Sequence, residues 1–300
     1  MFKDELKKYV ETSGLVNMKD AGPGIYVLKY RKKVFYDSLW NEYIAECRGS
    51  IVDKDFNLVA YPFTKIYNYG IEKEAPVLSD DTQVTAFRKV NGFMVACTWY
   101  NGDVLVSTTG STDSDYVGYA KEMMLTHMCW EDWQMALANV ECQGMTFMFE
   151  CVHPEDPHIV QEKPGMYILG FRANVWNSKV GHDPFFLQAL GRMFNCYVPE
   201  SITTNMLRLK ELAKECKHEG YVAYTADGVS FKIKSPYYLT SKWVARNPRT
   251  DKLVDMNKDI KHNLDEEYYP LVDAIRANIV EYTAMDEQAR LAWVRNFVGA

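Results

Sequence analysis

The chain has 300 residues, 47% of them hydrophobic and 25% charged. That is enough apolar material for one large core and a small second domain, and it excludes a disordered or fibrous chain. No apolar run approaches a membrane span, and a formal net charge of −6 counts against a chain that is basic overall, as nucleic-acid binders usually are.

The opening MFKDELKKYVETSG reads as a short amphipathic helix closed at Gly14. It carries acidic residues and has no apolar run of the signal-peptide kind. Residues 24–30 (GIYVLKY) alternate as a strand. Residues 47–52 and 58–61 read as a hairpin around Asp53-Lys54-Asp55. Residues 84–89, 93–100 and 104–108 read as a meander. Two Asn-Gly pairs punctuate it. Asn101-Gly102 joins two alternating runs and needs only hairpin geometry. Asn91-Gly92 follows Arg88-Lys89, and is either a second turn or a place where a lysine does chemistry.

Residues 115–139 read as one long helix, 145–152 and 166–171 as strands, and 185–194 as a helix. Residues 203–217 place Met206, Leu207, Leu209 and Leu212 on roughly one helical face. Residues 220–224 and 229–233 form a hairpin around Asp227-Gly228. Beyond them the pattern is helical, at 264–282 and 286–298, with Asn247-Pro248 in the connection. The expectation is an α+β fold: a domain of antiparallel sheets with flanking helices over 1–245, then a small all-helical C-terminal domain over 246–300. From Ser241 to Ala300 there are nine Lys/Arg and ten Asp/Glu, so this tail is not an electrostatic clamp.

Seven scattered cysteines with no CxxC pair read as reduced thiols, and the expected location is cytoplasmic. His153 and His158 flank Pro154-Glu155-Asp156-Pro157, which reads as a solvated loop rather than a zinc site. From Gly228 to Thr250 there are five basic residues and no acidic ones, with Tyr237, Tyr238 and Trp243 among them. Cations interleaved with aromatics suit a phosphate backbone with unstacked bases. A solvated strand and helix end with core aromatics fits the stretch equally well.

The strand ends carry the chemistry. Arg48 lies in ECRGSIV, Lys65 in YPFTKIYNYG, Lys89 in KVNG, Glu150 in TFMFE, Glu219 in EGYVAY, and Lys232 and Lys234 in FKIK. Strand alternation puts the last two lysines on one face. Each fragment alone is ordinary: a turn, a solvated glutamate, an exposed strand face. Together and in this order they resemble the covalent nucleotidyltransferase superfamily of ATP-dependent ligases and mRNA capping enzymes. Within it the resemblance is to phage RNA ligases of the T4 RNA ligase 1 type, and it covers roughly residues 48–239.

The resemblance implies the following. Lys89 attacks the α-phosphorus of ATP and holds AMP through a phosphoamide bond. Attack requires a neutral amine, and neighbouring cations disfavour the charged form. Gly92 lets the backbone turn sharply beside the nucleotide. Asn91 stands where the family usually has aspartate, and keeps a carbonyl acceptor without the charge. Glu150 binds the ribose or orients the site, and Glu219 binds a metal directly or through water. Lys232 contacts the α-phosphate, and Lys234 stabilises charge on it or on the leaving group. Lys65 meets the β- or γ-phosphate, and Arg48 lies near the ribose and triphosphate. Gly110 in STTGST and Arg172 in LGFR stand at further family positions. Pyrophosphate departure implies Mg²⁺ or Mn²⁺.

The implied partner is RNA with 5′-phosphate and 3′-hydroxyl ends, single-stranded or in a loop, with no membrane and no obligate protein partner. DNA ligases and capping enzymes carry an all-β module after the FKIK-like motif, whereas this tail reads helical. A catalytically weak RNA-binding module is the remaining alternative, and Asn91 is the feature that feeds it. The family's phage enzyme has a larger helical domain associated with tRNA repair, so a tRNA preference does not carry over to this short tail.

Overall fold

The computed structural model describes residues 1–156, 158, 160–246, 269–286, 289–290, 293–294 and 296–297. Along the chain, α1 (Phe2–Thr12) leads to β1 (Val16–Gly22), β2 (Ile25–Tyr30), α2 (Lys32–Tyr36) and α3 (Glu42–Glu46). Four strands follow: β3 (Arg48–Asp53), β4 (Leu58–Ala60), β5 (Tyr67–Asn68) and β6 (Gln83–Arg88). Then come β7 (Phe93–Tyr100), β8 (Asp103–Thr108), α4 (Asp115–His127), α5 (Trp130–Ala138), β9 (Met145–Val152) and β10 (Gly165–Ala173). The remainder is α6 (Pro184–Met193), β11 (Ser201–Asn205), α7 (Met206–Glu215), β12 (Gly220–Thr225), β13 (Ser230–Lys234), α8 (Pro236–Arg246), α9 (Tyr269–Ala277) and α10 (Ile279–Ala284). This is the expected α+β fold of antiparallel sheets and helices, with helices following the last strand.

The chain divides into two compact units, residues 1–65 with 90–200, and residues 66–89 with 201–300. The first unit holds two four-stranded sheets, ordered β1-β2-β3-β4 and β10-β9-β7-β8. Helix α1 closes the first of these by burying Leu6 and Val10 against Val16, Leu28, Cys47, Val52 and Phe56. The second unit holds one sheet, β11-β6-β12-β13-β5, in which β12 lies between β6 and β13 and is antiparallel to both. In the tail, Leu271, Val272, Ile275, Tyr282 and Val294 form their own apolar cluster.

In the tail, the single helix expected over 264–282 is broken at Asn278 between α9 and α10, and three expectations earlier in the chain change. The meander does not exist as one unit: β6 pairs with β11 and β12, whereas β7 pairs with β8 and β9. Alternation marks both as half-buried strands but does not name their partners. The single helix 115–139 is two helices, because Met128 is extended at φ −149 and ψ 156. Trp133 then folds back, with Nε1 donating to Met124 O at 3.0 Å and its ring stacked 5.1 Å from Phe194. The helix expected from Thr203 starts at Met206. Residues 201–205 pair instead with β6, and Asn205 Oδ1 accepts from the Arg208 N–H at 2.9 Å as the N-cap. The predicted connection at Asn247-Pro248, and residues 264–268 of the predicted tail helix, lie outside the described residues.

Candidate active site

In the second unit, three strand ends converge by register. Arg88 pairs with Tyr221, and Lys234 pairs with Gly220. Lys89 therefore leaves β6 beside the start of β12, and its N–H donates to Gly220 O at 2.8 Å. Glu219 precedes β12, and its carbonyl accepts from the Ser235 N–H at 3.0 Å. These bonds set the Glu219 carboxylate between two lysines. Lys89 Nζ donates to Oε2 at 3.0 Å, and Lys234 Nζ lies 3.7 Å from Oε1.

The Glu219 and Lys234 side chains are 6% and 8% exposed, so these charges meet in a poorly solvated place. Burial alone pushes the Glu219 carboxyl up. Lys89, Lys234 and Lys232 outweigh it and hold the group below the usual carboxylate range. Burial, with Lys232 beside it, drives Lys234 well below the ordinary lysine value, against the pull of Glu219. Lys232, Lys234, Lys89 and Glu219 thus form one electrostatic group. Lys234 and Lys242 also lie over the Tyr238 ring, at 5.4 and 5.6 Å. Lys242 and Tyr238 are buried while Tyr237 is 46% exposed, so this basic-aromatic stretch is partly core. Arg249 and the side chains of Trp243 and Arg246 lie outside the described residues.

In the first unit, Gly92 N–H donates to Glu150 Oε1 at 3.1 Å. Glu150 lies two residues inside β9, which runs on to Val152, and it is 8% exposed. A Cβ on Gly92 would stand 2.2 Å from Cys151 O and 3.1 Å from Glu150 Cγ. Glycine is required here so that the chain can approach the β9 backbone, and a left-handed turn is not the reason. Gly92→Ala should destabilise the protein by about 1–3 kcal/mol as an overpacking change, measured as a lowered denaturation midpoint. The other Asn-Gly pair behaves as a hairpin turn, with Asn101 at φ 49 and Gly102 at φ 81.

Asn91 is 3% exposed, and its amide Nδ2 has no hydrogen-bond partner. An orphaned buried donor is costly unless a ligand acceptor meets it. Lys65 is 7% exposed with Nζ 4.5 Å over the Trp40 ring, and its N–H donates to Ala45 O at 2.9 Å. Arg172 is tied to the PFTK segment. It is 4% exposed, and its Nη1 donates to Pro62 O at 3.2 Å and Thr64 Oγ1 at 3.0 Å. It also reaches Glu46 Oε2 at 3.4 Å and stacks 3.4 Å over Tyr61. These bonds fix the PFTK backbone that carries Lys65. Glu46, which also accepts from Thr64 Oγ1 at 3.0 Å, is the residue sequence reading passed over; its place two residues before Arg48 was the only signal. Arg48 opens β3, opposite Lys29 of β2.

Among the described residues no group of three or more His, Cys, Asp or Glu is placed to hold a metal ion. A divalent cation here would rest on the single carboxylate of Glu219, completed by substrate phosphates and water, a set that suits Mg²⁺. All seven cysteines are free thiols, and among the described residues no helix is long and apolar enough to cross a membrane.

No family model matches the chain. An RNA ligase of Rhodothermus phage RM378 is 22% identical over 184 residues, 50% of this chain and 41% of that protein. The match thus spans well under half the length of this curated relative. Among solved structures, a putative ATP-dependent DNA ligase from Aquifex aeolicus superposes with a TM-score of 0.58 at 14% identity, covering 98% of this chain and 78% of that one. An archaeal ATP-dependent RNA ligase gives 0.57 at 12% identity, covering 99% and 75%. The fold is that of the ATP-dependent ligases.

Proposed function

We propose, from a chain with the ATP-dependent ligase fold, that this protein is an ATP-dependent RNA ligase acting through a covalent lysyl-AMP. The observation that carries the reading is Glu219, buried between Lys89 and Lys234 at the convergence of three strand ends. The relative named RNA ligase and the archaeal RNA ligase neighbour support RNA as the substrate.

Lys89 Nζ, ion-paired with Glu219 at rest, first loses a proton to solvent and then attacks the α-phosphorus in line. The N–P bond forms, the bond to pyrophosphate breaks, and the amine gives up a proton. Lys232 contacts the α-phosphate, and Lys234 stabilises charge on it or on the leaving group. Lys65 aligns the β- or γ-phosphate, with Arg48 near the ribose and triphosphate, while Glu150 binds the ribose. Glu219 would hold a divalent cation, directly or through water, and Mg²⁺ or Mn²⁺ would supply charge neutralisation at the phosphate oxygens. An RNA 5′-phosphate oxygen then attacks the same phosphorus and releases Lys89. Finally a 3′-hydroxyl attacks the RNA 5′-phosphorus and AMP leaves. One site serves all steps because each needs an oriented phosphorus and neutralised oxygens.

The domain reading, 1–245 for nucleotidyl transfer and a short helical module over 246–300, belongs to this proposal, as do a cytoplasmic location and single-stranded or loop RNA ends. Asn91 acts through its amide donor. Asn91→Asp removes that donor and buries a charge, so the rate of covalent labelling by α-labelled ATP should fall on the order of tenfold. A rate equal to wild type would show that the donor is not used. The test of the whole reading is a ligation panel of single-stranded RNA, loop-nicked tRNA, a nicked duplex and DNA. Sealing of RNA ends is expected, and sealing of the DNA nick alone would overturn it.

A further inference from the structure

Three strands of the first unit place Arg48, Lys29 and the neutral Asn17 side by side. Asn17 on β1 pairs with Lys29 on β2, and Lys29 pairs with Arg48 on β3. Directly opposed like charges destabilise a sheet. Neither Lys29 nor Arg48 has an acceptor or ion-pair partner among the described residues. Lys19 does, donating to Ser111 Oγ at 3.0 Å and Asp113 Oδ1 at 2.9 Å, and Arg31 Nε donates to Asn17 Oδ1 at 2.7 Å. Asn17, Lys19, Lys29, Arg31 and Gly110 together line a trough of about 470 Å³. Burial first, then Arg48 and Lys19, hold the Lys29 ammonium below its ordinary range.

Gly110 leaves room for the end of Lys29 to lie across it. A Cβ there would stand 2.5 Å from Lys29 Nζ and 2.8 Å from its Cδ. The lysine is exposed and lies across a glycine, with a second cation opposite and no anion to offset either among the described residues. A bound anion removes the repulsion and completes the solvation.

We propose that Lys29, seated on Gly110 and opposite Arg48, binds a backbone phosphate of the RNA strand, with Lys19 and Arg31 following the next phosphates along the trough. This rests on the ligase reading, in which Arg48 serves the nucleotide. The direction of the row favours RNA over the triphosphate itself. From Arg48 on β3 it crosses β2 and reaches β1, the edge strand of the sheet. A triphosphate held at Arg48 ends there, whereas a polynucleotide continues outward over Lys29 to the edge strand, where Lys19 and Arg31 flank Asn17.

The test compares wild type, Lys29→Gln, Lys29→Arg and Gly110→Ala for binding of a fluorescein-labelled single-stranded oligoribonucleotide across a salt series. Lys29→Gln should weaken binding on the order of tenfold and flatten the log–log salt slope by about 0.7, the share of one single-strand phosphate. Lys29→Arg should retain both, and Gly110→Ala, which displaces the flexible end of Lys29 but keeps its charge, should leave the salt slope unchanged. The melting temperature of Lys29→Gln should stay level or rise, because a repulsion is relieved. Unchanged affinity and slope in Lys29→Gln would overturn the proposal. So would unchanged RNA binding with lost labelling by α-labelled ATP, which assigns the trough to the triphosphate. If wild type takes no label at all, the ligase reading fails while the binding comparison still decides the trough.

Discussion

Lys89→Ala should abolish transfer of label from α-labelled ATP to the protein, with a loss beyond about a thousandfold, since removal of a covalent nucleophile leaves only binding and electrostatics. Lys89 is placed for the task. Its backbone is pinned to Gly220 O, and its Nζ is held 3.0 Å from Glu219 rather than free in solvent. The variant also leaves Glu219 with Lys234 as its remaining close cation. Folding should therefore survive, and circular dichroism should match wild type. A protein that keeps its label after this change uses a different nucleophile. Lys89→Arg should be equally dead in labelling while preserving the ion pair, which separates loss of the nucleophile from loss of charge.

Glu219→Gln should be the second severe change, and its damage should appear in stability as well as activity. Removing one partner of a buried ion pair strands the others. Lys89 and Lys234 would then face one another's charge with no carboxylate between them, a cost of about 3–5 kcal/mol. The pH dependence has a definite sign. The folded-state pKa of Glu219 lies below the ordinary value of 4.5. Its contribution is therefore present above 4.5 and is lost as the pH falls through the folded value. Denaturation at neutral pH should separate wild type from Glu219→Gln widely, and the gap should shrink on acidification below that range. A gap that is constant with pH would mean that Glu219 is not ionised in the fold. Labelling should fall as well, because Lys234 loses the carboxylate that pulls it toward its charged form.

The candidate site was legible in the sequence to an unusual degree because its residues sit at strand ends. There, alternation and turn residues fix the local conformation that each motif needs. KVNG, EGYV and FKIK announce a lysine, a glutamate and two lysines on strands, and the structure gathers those four into one electrostatic group. The purpose of Gly92 was not legible. Nothing local says that the carbonyl of Cys151 stands within 2.2 Å of a would-be Cβ. Nor was Arg172, whose role depends on Glu46, Pro62 and Thr64, all more than a hundred positions away.

By itself the sequence determined the alternating strands, the hairpin at Asn101-Gly102 and the set of charged groups at the strand ends. Those features depend on backbone preference and on side-chain period, which act over a few residues. The tertiary structure alone decided that Asn91-Gly92 is a crossing and not a turn. β6 finds its partners in β11 and β12, and β7 finds its own in β8 and β9. Which strand pairs with which is settled by burial summed over a whole sheet, and no short stretch carries that sum. The same holds for Lys29. In sequence it is one lysine in an alternating strand, and only its pairing with Arg48 and its bed on Gly110 turn it into a cation that lacks an anion.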